Sequence, residues 1–249
     1  MNNDYTITED CTLPSLGKVY QGNVNPNLKI RSMTTQDEMK RLSYSDRPYK
    51  MLSEIIDDCL IEKPGISAYD MCLKDYEYLL HRLRVATYGQ EYKITTVCPV
   101  CGNINDSTID LEELEISQYS DTCNQHLNIE LPVSKKQVRL RLQTPRMLDD
   151  ISIKSKDLKS KLSDIKGDPA FLLQLESIID TVDGEILNPA QLATFVRQLP
   201  MRDTNYILKS IDKINFGVNT KLNITCHKCK AQYTPYLPIT GEFFGPSID

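Results

Sequence analysis

Two pairs of cysteines have the spacing of metal-binding knuckles. The segment CPVCGN places Cys98 and Cys101 two residues apart, and CHKCKAQY repeats the arrangement with Cys226 and Cys229. A two-residue gap lets one tight turn direct both sulfurs at a single ion, and four thiolates from two such turns complete the tetrahedron that zinc prefers. We therefore predict that these four cysteines bind a structural Zn²⁺ ion as a zinc ribbon.

The two pairs are far apart along the chain. Between Cys101 and Cys226 lie 124 residues, whereas a common ribbon has about 15 to 20. Because loop-closure entropy grows only with the logarithm of loop length, the longer loop costs roughly 1.5 kcal/mol more. A structural zinc site contributes about 10 to 16 kcal/mol. The metal outweighs the loop, so the predicted ribbon tolerates a long insertion.

Two other interpretations of the first pair stay open. Cys123 and His126 have C-x-x-H spacing and could complete a local metal site with Cys98 and Cys101. CPVC could instead be a redox-active dithiol, but that chemistry needs the first thiol at a helix N-terminus, and the flanking residues alternate like strands. The split site is favoured because strand-like residues flank both knuckles, whereas Cys123 lies in the irregular stretch SQYSDTCNQ.

The remaining residue types give no recognisable catalytic motif. The chain has three histidines, His81, His126 and His227, and its ten glycines form no phosphate-binding loop. A closed set of four thiolates also lacks the open position that catalytic zinc keeps for water. The sequence therefore favours a protein that is not an enzyme. The cysteines outside the two pairs are predicted to be buried apolar side chains: Cys11, Cys59, Cys72 and Cys123.

Composition indicates a globular chain that does not enter a membrane. Hydrophobic residues make up 40% and charged residues 25%, and no apolar run approaches the roughly 20 residues that span a bilayer. The start, MNNDYTITED, is acidic and polar where a signal peptide would be basic and then apolar, so we expect a cytosolic protein. The net charge of −5 argues against nucleic acid as a general partner, although residues 135–166 carry ten basic and four acidic side chains.

Hydrophobic periodicity predicts an α+β fold. It is mainly helical, with a small antiparallel β zinc-ribbon unit split by a long helical insertion. The predicted units are an extended N-terminal arm (1–33), a helical segment (34–90), the β zinc-ribbon unit (91–144 with 218–240), the helical insertion (145–217) and a C-terminal tail (241–249).

Local signals predict where the first helices begin and end. Thr35, with a glutamate three residues later, has capping-box spacing. A second helix should begin near Pro48, a third near Ser67, and Gly89 should end the third.

In the second half of the chain, HLNIELP and KQVRLRLQT read as an antiparallel strand pair. Helices are then expected from Pro145, from Pro169 with Phe171 facing inward, from Pro189, and from a cap near Asp203.

Three stretches of the chain together carry a family resemblance. They are LPSLGKVY followed by KIRSMTTQDE, CPVCGN followed by IELPVSKKQVRLRLQTP, and ITCHKCKAQYTPYLPITGEFFGPS. In this combination the chain resembles the baseplate proteins of contractile-tailed bacteriophages of the T-even type, and most closely their hub-assembly members. The resemblance implies a non-enzymatic assembly factor for the baseplate hub, acting in the host bacterial cytoplasm with other hub proteins as partners.

Two alternative functions are compatible with the same residues. One is a structural baseplate component that is retained in the virion, and the other is a zinc-ribbon protein that binds nucleic acid through its basic stretch. Candidate partner surfaces are the arm from Leu13 to Tyr20 and the tail Phe243-Phe244-Gly245-Pro246, whose two phenylalanines we expect to dock back on the body of the protein.

Overall fold

The computed structural model describes residues 6–161, 167–239 and 241–244. This part of the chain contains eight α-helices and eleven short β-strands, and the sheets are antiparallel. The predicted α+β class is confirmed. The helices are α1 (Thr35–Arg41), α2 (Pro48–Cys59), α3 (Leu73–Tyr88), α4 (Asp121–Leu127), α5 (Pro145–Lys161), α6 (Pro169–Ile178), α7 (Pro189–Gln198) and α8 (Met201–Asp212). The strands are β1 (Thr8–Thr12), β2 (Asn27–Arg31), β3 (Glu91–Val97), β4 (Ile104–Asp110), β5 (Ile116–Ser117), β6 (Asn128–Glu130), β7 (Gln137–Leu140), β8 (Ile179–Val182), β9 (Gly217–Val218), β10 (Ile224–Thr225) and β11 (Gln232–Tyr233).

Apolar side chains form two cores with a smaller cluster beside them. The first core gathers side chains from β1, β2, α2, α3 and the residues that follow position 217. The second gathers side chains from β6, β7 and β8 with those of α6, α7 and α8. In the smaller cluster the rings of Tyr119 and Phe216 meet edge to face with centroids 5.2 Å apart. Helices α6, α7 and α8 therefore share a core with strands β6 and β7, which precede the predicted insertion.

The first described residues form a hairpin, because β1 and β2 pair along their whole length. Leu13 and Ser15, which follow β1, are fully buried. The backbone N–H and the hydroxyl of Ser15 both donate to the buried carboxylate of Asp75 in α3. The expected extended arm is thus a paired and partly buried segment. Five-residue strands were too short to reveal their alternation in the sequence.

The capping box of α1 lies one residue before the predicted one. The Thr34 hydroxyl accepts from the Asp37 N–H at 3.4 Å, and the Asp37 carboxylate accepts from the Thr34 N–H at 2.7 Å. Asp37 also pairs with Arg31 of β2 at 2.7 Å. Asp37, which this ion pair holds in place, is the acidic residue of the capping box, and the neighbouring Glu38 is not. The prediction based on Thr35 was therefore wrong by one position.

Helix α2 begins at Pro48, as predicted, but its cap comes from elsewhere in the chain. The residue before it, Arg47, makes no side-chain capping bond. Instead the buried carboxylate of Asp149 in α5 accepts from the N–H groups of Tyr49 at 3.3 Å and Lys50 at 2.9 Å. Helix α5 of the insertion therefore supplies the hydrogen-bond acceptor for the free N–H groups in the first turn of α2, a helix of the first core.

Helix α3 starts later than the sequence indicated. Ser67 lies in a turn before the helix, where its hydroxyl accepts from the Tyr69 N–H at 3.2 Å and donates to Asp57 at 2.6 Å, and the helix begins at Leu73. Its predicted end at Gly89 is correct. That glycine has a φ of 86°, a left-handed value that costs other residues energy.

The second core contains a strand that the sequence did not reveal. The predicted pair of β6 and β7 is present, and β8 adds a third strand beside β7. Helix α6 ends at Ile178 and β8 begins at the next residue, so the apolar run continued the helical pattern across the boundary. Arg141 fixes this junction, because its Nε donates to the Ser177 carbonyl at 2.7 Å. Phe171, expected inside, is 42% exposed.

Asp203 is not the cap of the last helix, since α8 begins at Met201. Its carboxylate is fully buried and accepts from the N–H groups of Val133 at 2.8 Å and Ser134 at 2.9 Å. Burial acts to raise the pKa of Asp203, but these two donors outweigh it and hold the pKa below its usual value. The residue therefore ties α8 to the turn between β6 and β7.

The phenylalanines near the end of the chain are buried, as expected. Phe243 is 0% and Phe244 1% exposed, and the Phe243 ring lies 5.1 Å from that of Tyr92 in β3. The buried guanidinium of Arg84 donates to the Phe243 carbonyl at 3.1 Å. The predicted contact residues at positions 245 and 246 lie outside the described residues. The predicted domain boundaries stay a prediction.

Candidate metal centre

The first cysteine pair closes a regular hairpin. Strands β3 and β4 pair without interruption from Glu91 opposite Asp110 to Val97 opposite Ile104. Cys98 follows the last paired residue of β3, so the knuckle is the turn of this hairpin. Strands β10 and β11 form a shorter hairpin around the second pair. The predicted order of strand, knuckle and strand is therefore present twice.

The two knuckles have the same backbone hydrogen bonds. The Cys98 N–H donates to the Asn103 carbonyl at 2.9 Å, and the Gly102 N–H donates back to the Cys98 carbonyl at 2.9 Å. In the second knuckle the N–H of Cys226 makes the equivalent bond, and the Lys230 N–H donates back to Cys226 at 3.0 Å. The two turns are thus the same structure built from different residues.

This equivalence extends to a strained position. Gly102 has a φ of 70°, and Lys230, at the matching place in the second knuckle, has a φ of 60°. A residue with a Cβ atom pays about 1 to 2 kcal/mol for left-handed backbone. In the sequence, glycine follows the second cysteine of the first knuckle, and lysine stands at this place in the second. In the structure Lys230 adopts the glycine-like conformation instead.

The hairpins bring the four sulfurs into one cluster. All four lie within 4.8 Å of one another, the sulfurs of Cys98 and Cys229 are 3.7 Å apart, and those of Cys101 and Cys226 are also 3.7 Å apart. Four sulfurs placed about 2.3 Å from a central zinc ion in a tetrahedron would be separated by about 3.8 Å. The cluster could therefore hold a metal ion with thiolate ligands.

The surroundings of the sulfurs favour the ionised form of Cys226 and the protonated form of Cys229. The backbone N–H of Cys229, followed by that of Lys228, donates to the Cys226 sulfur and lowers the pKa of Cys226 to about 6. The Ala231 N–H acts in the same direction on Cys229, but the neighbouring sulfurs, first that of Cys101, raise the pKa of Cys229 to about 12. A cation beside Cys226 and Cys229 would therefore favour the ionisation of both thiols.

A polar contact behind the sulfurs joins the two hairpins. Asn105 of β4 is 1% exposed, and its side-chain oxygen accepts from the His227 N–H at 3.0 Å. Its amide nitrogen donates to the Tyr233 hydroxyl at 3.1 Å, and this hydroxyl also lies 2.7 Å from the Thr96 hydroxyl. None of these three contact residues, Thr96, Asn105 and Tyr233, was predicted from the sequence. Thr96 and Asn105 stand at inward-facing positions of the alternating strands β3 and β4, and polar residues at such positions could have indicated a buried polar contact.

The rival local site does not form in the described part of the chain. Cys123 lies in α4, where it is buried in the small cluster with Tyr119 and Phe216. Among the described histidine, cysteine and acidic residues, the group that lies close enough together to hold a metal ion is the four knuckle cysteines. Burial raises the pKa of the Cys11 thiol to about 11 and that of Cys59 to about 12, as expected of thiols that pack as apolar groups.

The basic stretch is largely paired with acidic side chains. Lys136 lies 2.6 Å from Asp183, and Arg139 lies 3.5 Å from Asp180. Lys159 pairs with an aspartate at position 168 at 3.1 Å. Three cations of this stretch are therefore paired with carboxylates that the fold brings in from positions 168–183. None of the helices in the described residues is sufficiently long and apolar to span a membrane.

These features define a class: an α+β protein in which two hairpins, far apart along the chain, meet at a cluster of four cysteines. A family model described as T4 bacteriophage base plate protein matches residues 5–245, and the chain belongs to this family. The match supports a role in the phage baseplate, which is part of the tail. No curated protein and no solved structure gave a significant match.

Proposed function

We propose that this chain is a non-enzymatic assembly factor for the baseplate hub of a contractile-tailed phage, and that it acts on other hub proteins in the host cytoplasm. The observation that carries the proposal is the family match over residues 5–245. The cysteine centre supports a non-enzymatic role, because four thiolates around one ion leave no coordination position for a substrate.

We further propose that Cys98, Cys101, Cys226 and Cys229 bind one structural Zn²⁺ ion. The sulfur separations of 3.7 Å fit a tetrahedral zinc–thiolate site. Four thiolates and Zn²⁺ carry a net charge of −2, and the N–H donors of the second knuckle stabilise that charge. Because Cys98 and Cys226 are buried, the ion would be partly shielded from water. Its role is to fasten the hairpin before the insertion to the hairpin after it.

Metal analysis tests the zinc proposal. Purified protein should contain about one zinc per chain, and Cys226→Ser should lose it. Cys123→Ser is the matched control, because it alters a buried thiol outside the cluster and should retain the metal. Retention of zinc by Cys226→Ser with loss by Cys123→Ser would favour the local site instead. Protein that carries no metal when prepared under reducing conditions would reject both sites.

An assembly factor of this kind acts by binding. It would hold hub subunits in a productive orientation and so reduce the loss of translational and rotational freedom that association costs, which is about 4 to 15 kcal/mol. The buried positions of Leu13 and Phe243 indicate that the predicted arm and tail contribute side chains to the fold. Partner contacts should therefore be sought on exposed residues of the folded chain.

The composition of purified phage particles distinguishes the proposal from its main alternative, a structural baseplate component. An assembly factor should be missing from virions or strongly substoichiometric when they are quantified by mass spectrometry. A fixed number of copies per baseplate would instead identify a retained component. Pull-down from infected cells should recover hub subunits with the wild-type chain, and their absence would reject the assembly role.

A further inference from the structure

Three aliphatic side chains are exposed at the tip of the hairpin that β3 and β4 form. Val97 is 62%, Val100 70% and Ile104 65% exposed. Val97 and Ile104 pair directly across the two strands, and Val100 lies in the turn between them. Single exposed apolar residues are ordinary on a protein surface, but neighbouring ones form a patch of the kind that marks interaction sites. We call these three residues the knuckle tip.

The rest of the outward face of this hairpin is acidic. Side chains alternate between the two faces of a strand, so Asp106 and Asp110 lie on the same face as the knuckle tip. Asp106 accepts a hydrogen bond from the Thr95 hydroxyl at 2.7 Å, and Asp110 accepts one from an amide, so neither contact brings a positive charge. On β3 the same face carries Glu91 and Lys93. Three carboxylates therefore stand against one cation on this face.

The negative charge continues beyond the hairpin. Residues 104–130 contain seven aspartate and glutamate side chains and no lysine or arginine. The second knuckle carries two cations, Lys228 and Lys230, so the acidic character belongs to the first hairpin and the segment that follows it. A face of this charge repels the phosphates of nucleic acids and of anionic lipids, and it attracts a basic protein surface.

The knuckle tip is held in place from behind. Its turn contains Cys98 and Cys101, whose sulfurs belong to the cluster of four cysteines. On the opposite face of β4, the side chain of Asn105 accepts from the His227 N–H at 3.0 Å. Because these contacts fix the backbone before a partner arrives, docking of the knuckle tip requires little further ordering of the chain.

The size of the patch indicates a transient contact. A stable interface buries about 800 Å² on each partner and involves about 20 to 30 residues a side. Three aliphatic side chains are a far smaller surface, and they suit the apolar centre of a weaker interface with a charged rim. An assembly factor that leaves the finished hub needs an interface of this kind, because it must bind its partner and then release it.

We propose that the knuckle tip docks on a baseplate hub protein, in an apolar depression bordered by lysine or arginine side chains. The depression takes up Val97, Val100 and Ile104, and the bordering cations face Asp106 and Asp110. This inference rests on the proposed role in hub assembly, and it adds the surface that binds and the chemistry of the partner surface.

The test measures binding of the full-length protein, prepared with zinc, to each purified hub subunit of the phage by biolayer interferometry at low and high salt. The diagnostic variants are Val100→Ser and Asp106→Lys. Their matched controls are Ile186→Ser and Glu185→Lys, because Ile186 is 82% exposed and both residues follow β8, a strand of the second core. Circular dichroism and thermal unfolding establish that each variant is folded, as expected for substitutions at exposed positions.

We expect wild-type protein to bind at least one hub subunit, with an association rate that falls as salt is added. Val100→Ser should weaken this binding about tenfold, because it removes an apolar side chain from the interface. Asp106→Lys should slow association about three- to tenfold. Both controls should stay within about twofold of wild type. The proposal is overturned if either diagnostic variant binds the hub subunit as wild-type protein does.

The outcomes distinguish this surface from the assembly role itself. Hub binding that is unchanged in both diagnostic variants overturns the surface and leaves the assembly role standing, whereas the absence of hub binding by the wild-type chain rejects both. Analytical ultracentrifugation addresses the other occupant, a second copy of this chain. A wild-type dimer that Val100→Ser dissociates would assign the knuckle tip to that dimer and overturn the proposal.

Photo-crosslinking identifies the chemistry of the partner surface. With p-benzoylphenylalanine in place of Val100, irradiation of the complex should attach the chain to the hub subunit, and mass spectrometry of the digest locates the attachment. We expect apolar partner residues with lysine or arginine beside them. Attachment among acidic residues, or no attachment in a complex that forms, would contradict the proposal.

Discussion

The side chain of Asn105 joins the two halves of the cysteine cluster, because its oxygen accepts from the backbone N–H of His227 at 3.0 Å. Asn105 belongs to the hairpin of the first knuckle, and His227 lies inside the second. The same side chain donates to the hydroxyl of Tyr233 in β11. The two knuckles are therefore positioned by direct hydrogen bonds before any ion is considered, which preorganises the four sulfurs.

Replacing this side chain should weaken metal binding. Asn105→Ala removes the partner of the His227 N–H and one of the two partners of the Tyr233 hydroxyl, so we expect the free energy of unfolding to fall by about 1 to 3 kcal/mol. Loss of such an outer contact should also reduce zinc affinity by about 10- to 100-fold. Competition with a chromogenic chelator measures the affinity, and urea unfolding measures the stability.

The control for this variant is Thr95→Ala in the same hairpin. Thr95 points to solvent, where its hydroxyl donates to Asp106 at 2.7 Å. Loss of an exposed contact of this kind should change the free energy of unfolding by no more than about 0.5 kcal/mol. If Asn105→Ala and Thr95→Ala have the same zinc affinity, then Asn105 does not position the second knuckle.

The strained backbone of the second knuckle predicts a stabilising substitution. Lys230→Gly relieves a left-handed φ of 60°, and after allowing for the greater freedom of glycine in the unfolded chain we expect a gain of about 0.5 to 1 kcal/mol. Gly102→Ala should do the reverse and cost about 1 to 2 kcal/mol, because its Cβ would meet nothing within 4 Å and only the φ is unfavourable. Thermal unfolding of both variants in the zinc-loaded state measures these changes.

Lys228→Gly provides the control for Lys230→Gly, since Lys228 lies in the same knuckle and is not among the residues with positive φ. It removes a similar charge and adds a glycine without relieving strain. Equal stability of Lys228→Gly and Lys230→Gly would show that charge, and not backbone conformation, governs the response.

Local patterns in the sequence were enough to predict the knuckles but not the contacts around them. The C-x-x-C spacing and the flanking alternation predicted both hairpins, because a metal knuckle is determined by a few adjacent residues. The bond between Asn105 and His227 joins residues 122 positions apart, so no local pattern could reveal it. The capping box of α1 was predicted at the wrong residue for a similar reason, because Asp37 forms an ion pair with Arg31 of a different element, strand β2.

The same limit applies to the ends of the helices in the insertion. Pro145, Pro169 and Pro189 begin helices there, as Pro48 does for α2 outside the insertion, because proline at the first helical position is a local signal. The end of α6 was missed because an apolar run passes directly from helix to strand at Ile179. Whether such an apolar run forms a helix or a strand depends on pairing with the neighbouring strand β7, and this contact between distant residues cannot be read from the local sequence.

The capping of α2 by α5 predicts an unusually large effect for one of two adjacent aspartates. Asp149 is 1% exposed and accepts from the N–H groups of Tyr49 and Lys50 and from the Tyr69 hydroxyl. Asp149→Ala should therefore lower the free energy of unfolding by about 2 to 4 kcal/mol, through loss of a helix cap and the burial of unpaired donors. Asp149→Asn retains an acceptor and should cost about half as much.

Asp150→Ala is the matched control for this prediction. Asp150 pairs with Arg47 at 2.8 Å, but both side chains are about 40% exposed, so the pair should contribute less than about 1 kcal/mol. Chemical denaturation of the three variants provides the comparison. A larger loss from Asp150→Ala than from Asp149→Ala would contradict the assignment of Asp149 as the cap.

Burial of His81 predicts that stability depends on pH. The side chain is 0% exposed, and its Nε2 lies 2.8 Å from the Leu111 carbonyl, so the neutral ring donates there. Burial lowers the pKa of His81 below its ordinary value of 6.5. Above pH 6.5 neither the folded nor the unfolded chain binds this proton, and the full stability is present. As the pH falls below 6.5 the unfolded chain is protonated first, so stability decreases until the folded pKa is reached.

His81→Gln isolates this contribution, because glutamine can donate to the Leu111 carbonyl but does not titrate. Wild-type protein should lose up to about 1.4 kcal/mol per pH unit below pH 6.5 relative to the variant. Burial raises the pKa values of Asp75, Glu77 and Glu176, which favours the folded state on acidification, but these carboxyls are present in both proteins and cancel in the difference. Urea unfolding at several values between pH 5 and 8 measures the effect. Nδ1 of His81 has no hydrogen-bond partner among the residues that the structure describes, and parallel curves for the two proteins would mean that it accepts a proton without disturbing the core.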